Sequence, residues 1–246
     1  MISPPTATPF HPMSLAMSPE TDESSLLHLL QLTSPGLPIG AFAWSQGLEA
    51  TVQAGWITGE AQAGDWLAGV LAQGLARTDV PILLRLHGAI DARQFALAAQ
   101  WNRHLLACRE TRELWQEDTQ IGAALLRLLI DLGTTSAQDW QATQGKAAIS
   151  YAAAFALATV HACLPARRGA LGYLWAWSEN QATALIKLGV VGQTGAQRLL
   201  NGLHPLIQDA LNLGSQLKDD EIGAALPGVA WASAHHEIQH TRLFRS

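Results

Sequence analysis

Ser24-Ser25-Leu26-Leu27-His28-Leu29-Leu30-Gln31-Leu32, followed two residues later by Pro35-Gly-Leu-Pro-Ile-Gly-Ala-Phe-Ala-Trp-Ser-Gln-Gly-Leu-Glu49, sets a helical pattern against a run of helix breakers. Leu26, Leu27 and Leu30 fall on one face at the 3-and-4 spacing of an amphipathic helix. The same spacing returns at Leu67, Val70, Leu71 and Leu75, and Thr78-Asp79 with an early Pro81 marks a helix start, where proline displaces no intrahelical bond. Further helices are expected over 92–107, 110–131, 137–163, 169–188, 195–213 and 229–240. Ser136 with Asp139 and Thr194 with Gln197 have capping-box spacing. Pro205 is expected to kink or split the penultimate helix. Strand signals are nearly absent, and there is no internal repeat, heptad seam or linker. The expected fold is therefore all-α: one helical bundle of about eight to ten helices over residues 24–246, without significant β-sheet. Residues 1–23 combine five prolines with Ser, Thr and three methionines and read as a weakly ordered tail, not an export signal.

Composition narrows function by exclusion. At 246 residues, a single fold buries roughly 70–75% of the surface that its unfolded chain exposes, so core size is no limit. Charged residues are 14% and the net charge is −5, which leaves no basic stripe for nucleic acid. The apolar run from 149 to 164 is alanine-rich and shorter than the roughly 20 strongly apolar residues of a membrane span. Nine tryptophans with few charges suggest apolar surface covered by partners. Cys108 and Cys163 lack metal or redox spacing and fit a reducing, cytoplasmic setting.

Residues 35–49 have two readings: a buried connection between helices, or a preshaped surface on which Phe42 and Trp44 contact a partner. The three glycines Gly36, Gly40 and Gly47 are not a phosphate cradle, since no Gly-Lys-Ser/Thr ending follows and no strand precedes. No nucleophile, acid/base pair or complete metal site points to an enzyme, and no cofactor is implied. One motif argues otherwise. His236-Glu237-Ile238-Gln239-His240 matches the His-Glu-x-x-His pattern of zinc hydrolases, with both histidines expected on one helical face. A catalytic zinc needs a third protein ligand, and only six residues remain downstream, beside His235 upstream. Transient nickel binding by His236 and His240 is a further reading, and three solvated surface histidines are the plain one.

The phrase Leu-Pro38-Ile39-Gly40-Ala-Phe42-Ala-Trp44-Ser45-Gln46-Gly47-Leu-Glu49, then Ala54-Gly55-Trp56, resembles the signature of the urease accessory protein F family. Lys187-Leu188 with Gly192-Gln193 and Gln197, and the ending His236-Glu237 with Thr241-Arg242-Leu243-Phe244-Arg245-Ser246, resemble two more of its motifs in the same order. The chain has Val190 and Val191 where members often carry proline.

The resemblance implies a non-catalytic, homodimeric, cytoplasmic scaffold. It would bridge a D-type (also called H-type) urease accessory protein and the GTPase called urease accessory protein G during GTP-dependent nickel insertion into apo-urease. It also implies that residues 242–246 lie against the Pro-Ile-Gly-x-Phe region, so that Phe42 and Arg242 share one composite surface. Glu49 and Lys187 are expected as contact charges for partners, with a helix-dipole role as their plain alternative.

Overall fold

Eleven α-helices run through residues 19–246, the part of the chain that the computed structural model describes. They are α1 (Pro19–Thr33), α2 (Leu48–Gln53), α3 (Glu60–Gly69), α4 (Asp79–Asp91), α5 (Phe95–Ala107), α6 (Arg112–Asp131), α7 (Thr135–Gln144), α8 (Tyr151–His161), α9 (Ala166–Lys187), α10 (Gln193–Gln216) and α11 (Pro227–Glu237). No strand occurs among the described residues, as an all-α reading requires. Residues 1–18, most of the expected tail, lie outside the described residues.

The alanine-rich α8 forms the axis of the molecule, with Ala152 to Thr159 all buried. Small side chains let neighbours approach on every side, and α8 packs against α4, α6, α7 and α9. α10 closes the outside against α9, α4 and α3, while α11 sits on α2 and α6. Polar clips tie these layers together where apolar packing alone would slide. Arg109 donates to both oxygens of Asp79 (2.6 and 3.2 Å) and to Asp118 (2.8 Å), and Tyr173 donates to Asp79 at 3.0 Å. Burial disfavours the Arg109 cation, but the two carboxylates outweigh it and hold its pKa above the ordinary value.

Four local expectations change. Leu26, Leu27 and Leu30 do not face the core: they are 53%, 67% and 58% exposed. The helix instead docks through Ser25, whose hydroxyl donates to the Ala162 carbonyl at 3.1 Å, through Leu32, and through Leu29 against Gly172 of α9. The run 137–163 is two helices, because Gly145 at φ 60° turns the chain out of α7. Conversely, α10 continues unbroken through Pro205, since the buried stripe Leu199, Leu203, Ile207, Ala210 and Leu211 outweighs one missing hydrogen bond. The two capping boxes do not form: α10 is preceded by Gly192 without a side-chain cap, and Ser136 donates to Leu157 of α8 instead.

Candidate partner-docking surface

The breakers of residues 34–47 build a rigid elbow between α1 and α2. Gly40 (φ 73°) starts a single 3-10 turn, Ala41–Ala43, that lifts Phe42 away from the core, leaving it 61% exposed. Trp44, two residues on, turns inward and is 4% exposed. Gln46 takes a left-handed conformation (φ 55°) that a non-glycine residue adopts only at a cost of roughly 1–2 kcal/mol. Its amide offsets that cost by donating to Glu117 at 3.0 Å while accepting from the Trp177 indole at 2.8 Å. Gly47 (φ 78°) passes so close to α11 that a Cβ there would lie 2.8 Å from the Ser233 backbone nitrogen.

The 242–246 segment docks onto this elbow like an added strand of backbone. The Arg245 amide donates to Ala43 O at 2.8 Å, and the Ser45 amide donates to Ser246 O at 2.9 Å, assisted by the Ser45 hydroxyl. Glu49 gathers the approach. Its carboxylate accepts from the amides of Leu243 (2.8 and 3.1 Å) and Phe244 (2.9 Å) and from the Gln239 side chain (3.1 Å). His236, fully buried, lies between Glu49 (3.3 Å) and Glu113 (2.8 Å), and Arg242 donates to the other oxygen of Glu113 at 2.9 Å. Burial raises the Glu113 pKa, against the opposing pull of His236 and Arg242.

Below the tail, Ser246 Oγ sits 3.0 Å from Glu117. Burial pushes the Glu117 carboxyl up to about 7, partly countered by Gln46 and Ser246. A folded-state pKa above the unfolded value near 4.5 contributes stability at low pH that is lost as pH rises through about 7. Glu117→Gln presents the same donor and acceptor pair as the protonated acid. Melting temperature measured from pH 5 to 9 is therefore expected to fall less with rising pH in this variant, corresponding to a relief on the order of 2–3 kcal/mol at pH 8.

The outward face of this assembly is small and mixed. Lys187, at the end of α9, donates to the Phe42 carbonyl at 3.1 Å and stands over both the Phe42 ring (5.2 Å) and the Phe244 ring (5.5 Å). Arg245 lies over Trp44 at 5.9 Å, and Leu243 is 61% exposed. Pro38, Phe42, Lys187, Arg242, Leu243 and Arg245 are thus the expected contacts that face solvent around the elbow. Gln193 and Gln197 are exposed on the first turns of α10, with no hydrogen bond to elbow or tail.

Of the other expected contacts, Gly40 and Gln46 are half-buried and the rest are internal. Ile39, Trp44, Ser45, Gly47, Glu49, Phe244 and Ser246 are all buried, so they hold the platform's shape and do not meet a partner's side chains in this conformation. Glu49 in particular is 8% exposed and filled by tail amides, which overturns its reading as a free contact charge. Glu113, Glu117, Trp177 and Asn180, which donates to Trp44 O at 3.2 Å, complete the frame and were not anticipated. A signal existed for two of them. Glu113 and Glu117 occupy the stripe continued by Ile121 and Leu125, where an amphipathic helix would carry apolar residues.

The hydrolase reading fails on geometry. α11 ends at Glu237, so His240 leaves the helical face of His236, and both ring nitrogens of His236 are occupied by carboxylates. Among the described residues, no three His, Cys, Asp or Glu side chains gather in a way that could hold a metal ion. The same geometry removes His236 and His240 as a nickel pair. A cavity of about 180 Å³ beneath the elbow reaches Asp79 and Asp118, and both carboxylates there are already ion-paired to Arg109.

A family model described as UreF matches residues 57–204. The chain belongs to the UreF family. It is 45% identical over 235 residues to the urease accessory protein UreF of Chromohalobacter salexigens, covering 95% of this chain and 100% of that one. To the protein of the same name from Pseudoalteromonas translucida it is 44% identical, over 92% of this chain and 97% of that one. A third, from Alkalilimnicola ehrlichii, is 44% identical over 94% and 100%. The relatives' names place this chain among urease accessory proteins, and in this chain the elbow and the tail are in contact. No single described helix is long and apolar enough to cross a membrane.

Proposed function

We infer that the chain is a non-catalytic scaffold of urease maturation that bridges a D/H-type accessory protein and the GTPase accessory protein G. It would act in the cytoplasm during GTP-dependent delivery of nickel to apo-urease. One observation carries this reading: an exposed Phe42, clamped by Lys187, projects from an elbow that the tail and Glu49 hold in place through buried and half-buried hydrogen bonds. Such preorganisation removes the ordering cost of binding, and aromatic and cationic groups at a rigid site are typical hot-spot anchors. A scaffold influences a nucleotide switch only by binding one state more tightly, so the platform's fixed shape is its means of discrimination.

Copurification of the GTPase from native cytoplasm tests the reading. Phe42→Ala is expected to reduce recovery at least 10-fold while the helical circular dichroism signal is unchanged, because the side chain makes few internal contacts. Full recovery with both Phe42→Ala and Leu243→Asp would remove the platform from partner binding.

A homodimer fits an apolar helix face left exposed among the described residues, Leu26, Leu27 and Leu30 of α1. Sedimentation equilibrium is expected to give a dimer for the native chain and a monomer for Leu26→Asp with Leu30→Asp. A dimer that survives both charges does not use this face.

A further inference from the structure

On the opposite side of α1 from Leu26 and Leu30, the surface holds an open groove of about 500 Å³. At 100° per residue, His28 and Gln31 point roughly 100–200° away from those leucines and toward this groove. Its floor and far wall are Leu125, Leu128, Leu129 and Leu132 of α6 and its end, with Leu37 and Pro38 of the elbow closing one end. Leu132 is 65% exposed there. Among the described residues, no Asp, Glu, Lys or Arg lines the groove.

One stretch of the same chain has matching chemistry. Residues 1–18 carry no Asp, Glu, Lys or Arg, and hold Phe10, Met13, Leu15 and Met17 among four prolines. Neither surface places a charge where the other would desolvate it, the condition under which apolar burial is not cancelled. The tether also fits. From Pro19, the first described residue, α1 rises about 14 Å to His28 and about 20 Å to Leu32. A chain returning from Pro19 covers roughly 13 Å by Leu15 and 20 Å by Met13. An extended chain of that length would bring those two residues level with the groove, and alternate residues of an extended chain share one side.

We propose that residues 10–17 dock into the groove between α1, α6 and α8 of their own chain, with Met13 and Leu15 as anchors, covering Leu128 and Leu132. A short tether holds the segment at an effective concentration on the order of millimolar, so that even weak contacts fill the groove. The segment would thereby brace the outer face of α1 and the start of the elbow, since Leu37 and Pro38 belong to both groove and elbow.

Two measurements on the full chain test this. Amide hydrogen exchange should show residues 125–132 at least 10-fold more protected in the native chain than in Phe10→Asp/Met13→Asp/Leu15→Asp. These substitutions lie outside the described residues. Equal exchange in the two would overturn the proposal. The second uses Cys163, which is exposed and adjoins Ala162 of the groove wall. Leu15→Cys in a Cys108→Ser background should form an intrachain disulfide under mild oxidation, at a rate independent of protein concentration and slowed at least 10-fold by Leu128→Asp. Disulfide-linked dimers that scale with concentration would show a second copy's segment in the groove and overturn docking in cis, as would an intrachain rate that Leu128→Asp leaves unchanged.

Discussion

Glu49→Ala is expected to lower the melting temperature by about 10 °C or more and to free residues 242–246. The carboxylate accepts from two consecutive tail amides, pairs with one nitrogen of buried His236, and shares the Gln239 side chain with the Thr241 carbonyl. Removing it leaves several donors buried without partners, and removing one partner of a buried charged network costs roughly 3–5 kcal/mol. At about 2–4 °C per kcal/mol for a chain of this size, that loss is well above the error of a melt. The tail has an independent readout. Once the Leu243 and Phe244 amides are released, trypsin should cut after Arg242 in the variant and spare the native chain. A variant that melts within 2 °C of native and resists trypsin would show that the tail is held by its other contacts. Glu49→Gln is expected to fall between, because one amide oxygen can still accept while its NH₂ faces a donor.

That experiment also marks where sequence reading stopped. The position of Glu49 one residue into α2 fits a carboxylate at a helix's positive end, and a partner's cation is the natural alternative reading for a charged residue in a functional motif. Neither required knowledge of residues nearly 200 positions away. Only the folded chain brings the Leu243 and Phe244 amides to it, so a long-range backbone acceptor has no local signature. The helices fared differently. α4, α5, α6, α9 and α10 were legible because 3.6-residue periodicity is a local property. The error at Leu26, Leu27 and Leu30 arose because periodicity identifies an apolar face without saying whether this chain or another covers it. The adjacency of elbow and tail came from resemblance, not from spacing. What the structure adds is the division between the residues that face outward, Phe42, Lys187 and Leu243, and those that hold them there.

Gly47→Ala is expected to be the most damaging single-methyl change in the elbow, and Gly40→Ala shows why. Both glycines have left-handed backbones, φ 78° and φ 73°, so each substitution carries the same conformational cost of roughly 1–2 kcal/mol. Around Gly40 nothing lies within 4 Å of a new Cβ, and that cost is all. At Gly47 the Cβ would meet Ser233 N at 2.8 Å and Ala232 C and Cβ at 3.1 Å, which are backbone and near-backbone atoms of α11 that no rotamer change can move. α11 would have to shift as a body. It carries Ser233, hydrogen-bonded to Thr111 at 2.7 Å, and His236 in its seat between two carboxylates, so the shift would loosen the α6 contact and the tail together. Melting temperature should therefore drop by about 3–8 °C for Gly40→Ala and by more than 10 °C, or to loss of soluble protein, for Gly47→Ala. GTPase copurification should follow the same order. Equal losses at the two positions would mean that backbone conformation alone sets the cost, and that α11 is not packed against the elbow as closely as the 2.8 Å approach requires.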